Sequence, residues 1–202
     1  MLDLWWWHST ADPDITRHWR LAHQHWLKSP IADPERQLSH LFRRTLLASY
    51  LDLSPEQLIF AVSDKGKPAL VNAPLHFNVS HSEGWHLLLV SDAPCGVDIE
   101  PWDRVLDRVR QPAALKRFAE RDWLANAGER TFLQCWTMKE ALAKYHGQSL
   151  WDVLSTPLVR AEDGWRAPGQ LSSGQLDLGA CAAWVAAPEQ TPSIKAFTPA
   201  LP

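Results

Sequence analysis

The chain contains little cysteine and no concentrated basic segment. Only three cysteines, Cys95, Cys135 and Cys181, occur among 202 residues, and no two of them form a C-x-x-C pair. Neither a zinc site nor a disulfide framework is therefore indicated, and we expect the thiols to be reduced and mostly buried in a cytoplasmic protein. The net charge is −3 and no long basic run occurs, which argues against general nucleic-acid binding but allows one local phosphate pocket.

Long apolar runs are also missing. No segment is long and apolar enough to span a bilayer, and Asp3 with the aromatic run after it does not form a signal peptide. Apolar residues make up 46% of the chain and charged residues 21%, a balance typical of globular proteins. With 202 residues, the chain is expected to form one domain or two small ones.

Tryptophan, in contrast, is abundant. The chain has twelve, and three of them are consecutive at Trp5–Trp7, inside a predicted first strand. Stacking on nucleic-acid bases is one use of such rings, but no basic residues are interleaved with them. We therefore favour packing in the core or at an interface.

Periodicity and turn residues predict an α+β chain. The expected strands are 2–8, 58–62, 76–80, 85–91, 95–100 and 180–187, with 180–187 as the last core strand. The expected helices are 14–28, 34–51, 103–109, 112–118, 119–126 and 129–146, and residues 64–68 form a tight basic turn. The pattern changes near Pro101, which suggests two α+β halves, 1–101 and 102–202.

The helix predicted over 129–146 carries a candidate site. Helical spacing places an apolar stripe on one side, made of Met138, Ala141, Leu142 and Tyr145. The other side carries Lys139, Glu140 and Lys144. Glu140 and Lys144 are one turn apart, and such pairs are common on ordinary surface helices. The helix alone therefore does not indicate chemistry.

A second acidic segment, Gly96–Glu100, changes this assessment. On a strand, Asp98 and Glu100 share one face, while Val97 and Ile99 pack on the other. Two neighbouring carboxylates near an apolar interior need a cation or hydrogen-bond donors between them. Hard oxygen ligands of this kind suit Mg²⁺, although the exposed face of an edge strand would show the same pattern.

Polar residues also end the strand before it, in Phe77–Ser82. Hydroxyl, imidazole and backbone N–H groups at this position could hold an anion, or could only cap a turn. A Ser–His nucleophile pair is disfavoured because Ser80 and His81 are adjacent on a strand and point to opposite faces. Lys67 in the basic turn and the neighbours Arg43 and Arg44 add cationic donors.

Taken together, three ordered motifs resemble the 4′-phosphopantetheinyl transferases, specifically those of the monomeric surfactin-synthetase-activating (Sfp) type. The motifs are FNVSHS at 77–82, GVDIE at 96–100 and WTMKEALAK at 136–144. The segments Gly66–Pro68, Arg44–Leu47 and Lys116–Arg121 also resemble parts of the family pattern. The resemblance is good over roughly residues 36–147.

The resemblance implies a fold and a reaction. The fold would consist of two similar α+β halves related by a pseudo-twofold axis, with the active site in the cleft between them. The enzyme would transfer 4′-phosphopantetheine from coenzyme A to a serine of an apo acyl or peptidyl carrier protein and release adenosine 3′,5′-bisphosphate. Mg²⁺, or Mn²⁺, would be held by Asp98, Glu100 and Glu140.

The resemblance also implies roles for individual side chains. Glu140, directly or through a bound water, would act as the base. Lys144 and Lys139 would stabilise phosphate charge in the transition state. The nucleotide phosphates would be held by four residues, Arg44, Lys67, Ser80 and His81. The family is also the source of the expectation that the protein is a monomer.

Two other functions remain open at this point. A non-catalytic coenzyme A- or carrier-binding module could have the same fold, and another Mg²⁺-dependent phosphotransferase or phosphodiesterase could use the same carboxylates. The arginines and lysines of 104–121 could dock an acidic helix of a carrier protein, or could form an ordinary solvated face.

Overall fold

The computed structural model describes residues 1–27, 30–103, 115–161, 164–166, 171–178, 181–188 and 192–200. The predicted helices 103–109 and 112–118 lie mainly outside these residues. The elements of the first part are β1 (Leu2–His8), α1 (Pro13–His23), α2 (Pro34–Leu51), β2 (Phe60–Val62), β3 (Pro68–Leu70), β4 (His76–Ser82), β5 (Trp85–Ser91) and β6 (Gly96–Pro101). Short 3-10 turns occur at Gln24–Trp26 and Pro55–Gln57.

The later elements follow the same mixed pattern. They are α3 (Arg121–Leu124), α4 (Glu129–His146), α5 (Leu150–Val153), β7 (Val159–Ala161), β8 (Gly164–Arg166), β9 (Leu171–Asp177), β10 (Cys181–Pro188) and β11 (Ser193–Ala196). The α+β prediction is therefore confirmed, and the two long helices, α2 and α4, have the predicted bounds. The predicted helix over 14–28 is shorter, because the chain passes into a 3-10 turn after His23.

Local chemistry explains the bounds of the long helix α2. The Asp33 carboxylate accepts the backbone N–H of Glu35 at 2.9 Å, and Pro34 supplies a first helical residue that needs no N–H partner. At the other end, Asp52 adopts a left-handed conformation with φ of 52°, and the N–H of Leu53 bonds to the carbonyl of Ala48 at 3.1 Å.

A four-stranded sheet, in the order β11-β1-β5-β4, contains the first strand of the chain. β1 pairs antiparallel with β5 and parallel with β11, where Asp3 lies opposite Ser193. A further strand, β11, follows the predicted last core strand, 180–187, and was not predicted from the sequence. β11 has only four residues and is largely exposed, so it carries little of the apolar pattern that predicts a strand.

A three-stranded sheet, in the order β6-β10-β9, carries the acidic segment. All six residues of β6 are buried. Apolar side chains from both sheets form one cluster that includes Leu4, Leu87, Val97 and Ile99. Each sheet thus combines strands from early and late parts of the chain, and the division into 1–101 and 102–202 stays a prediction.

The aromatic residues mainly build the core beside α1 and α2. Trp7 is only 5% exposed and packs edge-on against Trp19, with ring centroids 5.5 Å apart. The packing role predicted for this aromatic run is therefore confirmed for Trp7. The three cysteines are free and buried, and burial raises the pKa of each thiol to about 12, so they are unreactive. None of the helices in the described part is long and apolar enough to cross a membrane.

Gly96 allows the helix α4 to lie directly against β6. A Cβ atom on Gly96 would stand 2.1 Å from the carbonyl oxygen of Ala141 and 2.5 Å from the backbone nitrogen of Tyr145. Both contacts are to backbone atoms, which cannot turn away as a side chain can. A residue with any side chain at 96 would therefore force the helix away from the strand.

We predict that Gly96→Ala lowers the free energy of unfolding by roughly 3 kcal/mol or more, because the methyl group overpacks a rigid contact. Urea unfolding of the purified variant measures the loss. The matched control is Gly128→Ala at the start of α4, where a Cβ would meet nothing within 4 Å and a change within about 1 kcal/mol is expected. Equal stability of the two variants would contradict the close contact.

Candidate active site

Alternate side chains of β4 hold the acidic strand β6 in register. The side-chain oxygen of Asn78 accepts the backbone N–H of Val97 at 2.8 Å. Two residues on, the Ser80 hydroxyl donates to Asp98 at 2.7 Å, and after two more, the Ser82 hydroxyl donates to Glu100 at 2.9 Å. The period of two follows from the alternation of side chains along a strand. Asn78 and Ser82 therefore support the carboxylates, a role that the sequence did not reveal.

The helix α4 brings a cation to these carboxylates. The Lys144 ammonium donates to Asp98 Oδ1 at 2.6 Å and to the Ser80 hydroxyl at 3.0 Å. Burial opposes the charged form of Lys144, but the negative charges of Asp98, Glu140 and Glu100 outweigh this effect and raise its pKa. Glu140 and Lys144 lie one turn apart on the same helix, so the three carboxylates of the two motifs act on one ammonium group.

The carboxylates are not arranged as a finished metal site. As the side chains stand, no group of three or more His, Cys, Asp or Glu residues within the described ranges could hold a metal ion. Asp98 nevertheless has a buried oxygen, Oδ2, without a hydrogen-bond partner among the described residues. A buried carboxylate oxygen of this kind is costly unless a donor or cation reaches it.

Lys139 lies away from these groups, which corrects the role predicted for it. Its side chain has no exposed surface, and its ammonium contacts Glu120 Oε2 at 3.1 Å. It also donates to the carbonyl oxygens of Leu154 and Thr156. Residues 139 and 144 are five positions apart, or about 140° around a helix, so the two lysines cannot face the same ligand. Lys139 instead fixes the loop that follows α5.

Lys67 also differs from its predicted role as a phosphate ligand. Its ammonium donates to the carbonyl oxygens of Cys95 at 3.0 Å and Tyr145 at 3.4 Å, and to that of Lys144. Burial lowers the pKa of this half-buried lysine. The neighbouring residues Gly66 and Pro68 line the adjacent cavity, while the Lys67 ammonium is bonded to the backbone.

A cavity of about 1040 Å³ opens beside the carboxylates. Ser80 and Lys144, which both contact Asp98, also line this cavity. Among the described residues, its polar lining is strongly basic and has one acidic member, Asp33; the basic members are Arg36, Arg43, Arg44, Lys144 and the imidazoles of His40 and His81. A concentration of positive charge around a cavity of this size favours a large ligand with several negative charges.

Arg43 is a further functional candidate, which sequence reasoning named as a cationic donor beside Arg44 but did not include among the phosphate ligands. It is 7% exposed, its guanidinium stacks 4.5 Å from the centre of the Phe60 ring, and it donates to His40 Nδ1 at 3.2 Å. Its Nε has no hydrogen-bond partner among the described residues. Burial, with the charges of Arg44 and Arg36, lowers the pKa of Arg43 to about 10, so it stays cationic at neutral pH.

Two other predicted ligands, Arg44 and His81, do line the cavity. Arg44 donates one guanidinium nitrogen to the carbonyl of Pro55 at 2.7 Å and to that of Leu58 at 3.2 Å, which holds the segment after α2. His81 Nδ1 lies 3.8 Å from Glu35 Oε1. The structure therefore brings Arg44, Ser80, His81 and Lys144 to one cavity beside Asp98.

Comparison with known proteins agrees with this arrangement of motifs. The model of the 4′-phosphopantetheinyl transferase superfamily matches residues 94–198, which is more than half of the chain. The chain belongs to this superfamily. The family predicted from the three motifs is thus confirmed.

Individual transferases of the superfamily are similar over part of their length. A 4′-phosphopantetheinyl transferase of Bacillus pumilus is 36% identical over 136 residues, which cover 60% of this chain and 58% of the relative. AcpT of Salmonella typhi is 37% identical over 128 residues, 59% of this chain and 64% of that protein. Sfp of Bacillus subtilis is 29% identical over 143 residues, 67% of this chain and 60% of that protein. The matches span about half to two thirds of these relatives.

The buried Lys139–Glu120 pair gives a test of the corrected role. We predict that Lys139→Met lowers the free energy of unfolding by about 3–5 kcal/mol, because it leaves the Glu120 carboxylate buried without its cation. Adding Glu120→Leu should recover most of the loss, since the lone charge is removed as well. Denaturant unfolding of the three proteins measures this. A stable Lys139→Met variant with impaired ligand binding would restore the phosphate role.

Proposed function

We propose that this protein transfers 4′-phosphopantetheine from coenzyme A to a serine of an apo acyl or peptidyl carrier protein and releases adenosine 3′,5′-bisphosphate. The observation that carries this proposal is the meeting of Asp98 and Lys144, from two separate motifs, at the edge of a basic cavity. Membership of the superfamily, and relatives that are named 4′-phosphopantetheinyl transferases, support the same reaction.

The basic cavity suits the nucleotide part of coenzyme A. That part carries a pyrophosphate and a 3′-phosphate, and the cavity offers the guanidinium groups of Arg36, Arg43 and Arg44 with the ring of His81. Guanidinium groups bind phosphate through charge-assisted hydrogen bonds in a planar fork. Burial, followed by the positive charges of Arg43, Arg36 and Arg44, lowers the pKa of His40 to about 4. Ligand phosphates would relieve this mutual repulsion.

The carboxylates suit Mg²⁺ or Mn²⁺ in their chemistry. Asp98, Glu100 and Glu140 are hard oxygen donors, and the buried Oδ2 of Asp98 lacks a partner among the described residues. We propose that these three residues hold the cation, after the Lys144 ammonium has moved off Asp98. A bound Mg²⁺ would neutralise charge on the pyrophosphate.

Each residue of the site would then have a separate role in the transfer. The serine oxygen of the carrier forms a bond to the β-phosphorus as the bond from that phosphorus to the bridging oxygen breaks. Glu140 accepts the serine proton, directly or through a water. Lys144, once released from Asp98, donates to the phosphate oxygens on which negative charge develops. Ser80 and Ser82 keep Asp98 and Glu100 oriented throughout.

We also infer that the protein consists of two similar halves related by a pseudo-twofold axis, with the active site in the cleft between them. In support, each main sheet has one 18-residue helix near it: α2 packs among the residues of β4 and β5, and α4 lies on β6 at Gly96. A monomer acting in the cytoplasm, without nucleic acid or membrane as partner, completes the proposal.

Glu140→Gln should lower the rate of transfer by at least about 100-fold with the fold intact, because the amide cannot accept the serine proton. Intact-mass spectrometry of apo carrier proteins, after incubation with the protein, coenzyme A and Mg²⁺, measures the phosphopantetheine gain. EDTA should abolish the gain, and Glu129→Gln, in the exposed first turn of the same helix, should leave it unchanged.

The same assay separates the competing functions. Turnover by Glu140→Gln at the normal rate would refute its role as base. Coenzyme A binding without any mass gain on a broad carrier panel would favour a non-catalytic binding module. Cleavage of simple phosphodiesters without a carrier protein would favour a different phosphotransferase or phosphodiesterase.

Arg43→Met should weaken coenzyme A binding by roughly 10- to 100-fold, since a charge-assisted hydrogen bond contributes about 1.5–3 kcal/mol. Methionine puts a flexible apolar side chain in place of the guanidinium that stacks over the Phe60 ring, so the fold should persist. Isothermal titration calorimetry measures the dissociation constant. Arg17→Met, on the exposed side of α1, is the control. Unchanged affinity in Arg43→Met would exclude a direct phosphate contact.

A further inference from the structure

The ammonium of Lys67 has all of its donors directed at the protein backbone. A lysine ammonium has three N–H donors, and this one reaches three carbonyl oxygens: those of Cys95, Lys144 and Tyr145. Cys95 directly precedes β6, and the other two residues belong to the last turn of α4. One side chain therefore joins the segment between β2 and β3 to both elements that carry the carboxylates.

The position of the ammonium matches a need of the helix. The last carbonyl groups of a helix have no partner within it, and a cation at that end also interacts favourably with the helix dipole. Backbone N–H groups satisfy part of this need: Gly147, with φ of 63°, donates to the carbonyls of Ala143 and Lys144, and Gln148 donates to that of Ala143 at 2.9 Å. Lys67 donates to the carbonyl of Tyr145 and gives that of Lys144 a second donor.

The base of Lys67 is itself held firmly. Its backbone N–H bonds to the Ser63 hydroxyl at 3.0 Å, and its carbonyl accepts the N–H of Ser63 at 2.9 Å. Gly66, with φ of 85°, closes the turn. A half-buried lysine on a hydrogen-bonded turn has fewer accessible positions than a surface lysine, so the turn fixes the position of its ammonium group. Lys65, in the same turn, is exposed and makes none of these contacts.

We propose that Lys67 is a positioning residue that clamps the C-terminal turn of α4 to the start of β6, and so sets the distance of Lys144 and Glu140 from Asp98 and Glu100. The clamp acts next to Gly96, whose missing side chain permits the close approach. The same residue, Lys144, gives its carbonyl to Lys67 and its ammonium to Asp98. This inference rests on the proposed transfer reaction, in which a shift of about 1 Å can lower the rate about 100-fold.

Three variants test the clamp: Lys67→Met, Lys67→Arg and the control Lys65→Met. In the carrier assay we expect Lys67→Met to lower kcat by about 10- to 100-fold, while the dissociation constant for coenzyme A changes less than about threefold. Lys67→Arg keeps the cation and should recover part of kcat. Lys65→Met should have the kcat and the coenzyme A affinity of the wild-type protein.

Hydrogen–deuterium exchange gives a readout that does not depend on activity. In Lys67→Met, peptides that contain Gly147 and Gln148 should exchange faster, because their acceptor carbonyls lie in the loosened turn, while peptides of α2 exchange as before. Weaker coenzyme A binding, with normal kcat at saturation and unchanged exchange, would overturn the proposal and make Lys67 a phosphate ligand. If the unchanged protein shows no transfer, the proposed function fails, but the exchange comparison still decides the clamp.

Discussion

The contact between the backbone of α4 and Gly96 is the constraint on which the site depends. The helix lies so close to β6 that a single methyl group would meet two backbone atoms. This closeness lets Lys144 reach Asp98, and it buries every residue of β6. Because protein interiors are closely packed, such a contact transmits small displacements instead of absorbing them. Packing of α4 against β6 therefore sets the distance between the two motifs, and the polar side chains interact across that fixed distance.

Polar side chains around this contact serve mainly to hold other groups in place. Asn78, Ser80 and Ser82 brace the acidic strand, and Lys67 caps the helix end. On the far side of α4, the buried Lys139–Glu120 pair ties the helix to the segment after α5. Buried charges are costly unless they are paired, so each of these groups is committed to its partner. Few charged groups are then left to contact a ligand, and those lie along the cavity.

The cavity presents the opposite situation, in which like charges are held together. Arg43 and Arg44 are both largely buried, and their charges act on each other and on His40. Repulsion of this kind is unfavourable in the protein alone and becomes favourable when an anion enters. In our proposal the ligand is coenzyme A, whose phosphates carry negative charge. Their binding would relieve the repulsion between the buried arginines, and the relieved repulsion would contribute to the binding free energy.

Motif order and residue spacing identified the family, the two long helices, the β4–β5 hairpin and the shared face of Asp98 and Glu100, because these depend on local periodicity. Such reasoning could not assign Lys139 and Lys67, since each lysine resembles a phosphate ligand until its distant partners are known. Arg43 was named only as a cationic donor beside Arg44, and β11 was not predicted, because neither the burial of an arginine nor a short, exposed strand has a local signature. Whether a cation faces a ligand or a backbone carbonyl is decided by which segments pack together, and that is a property of the folded chain.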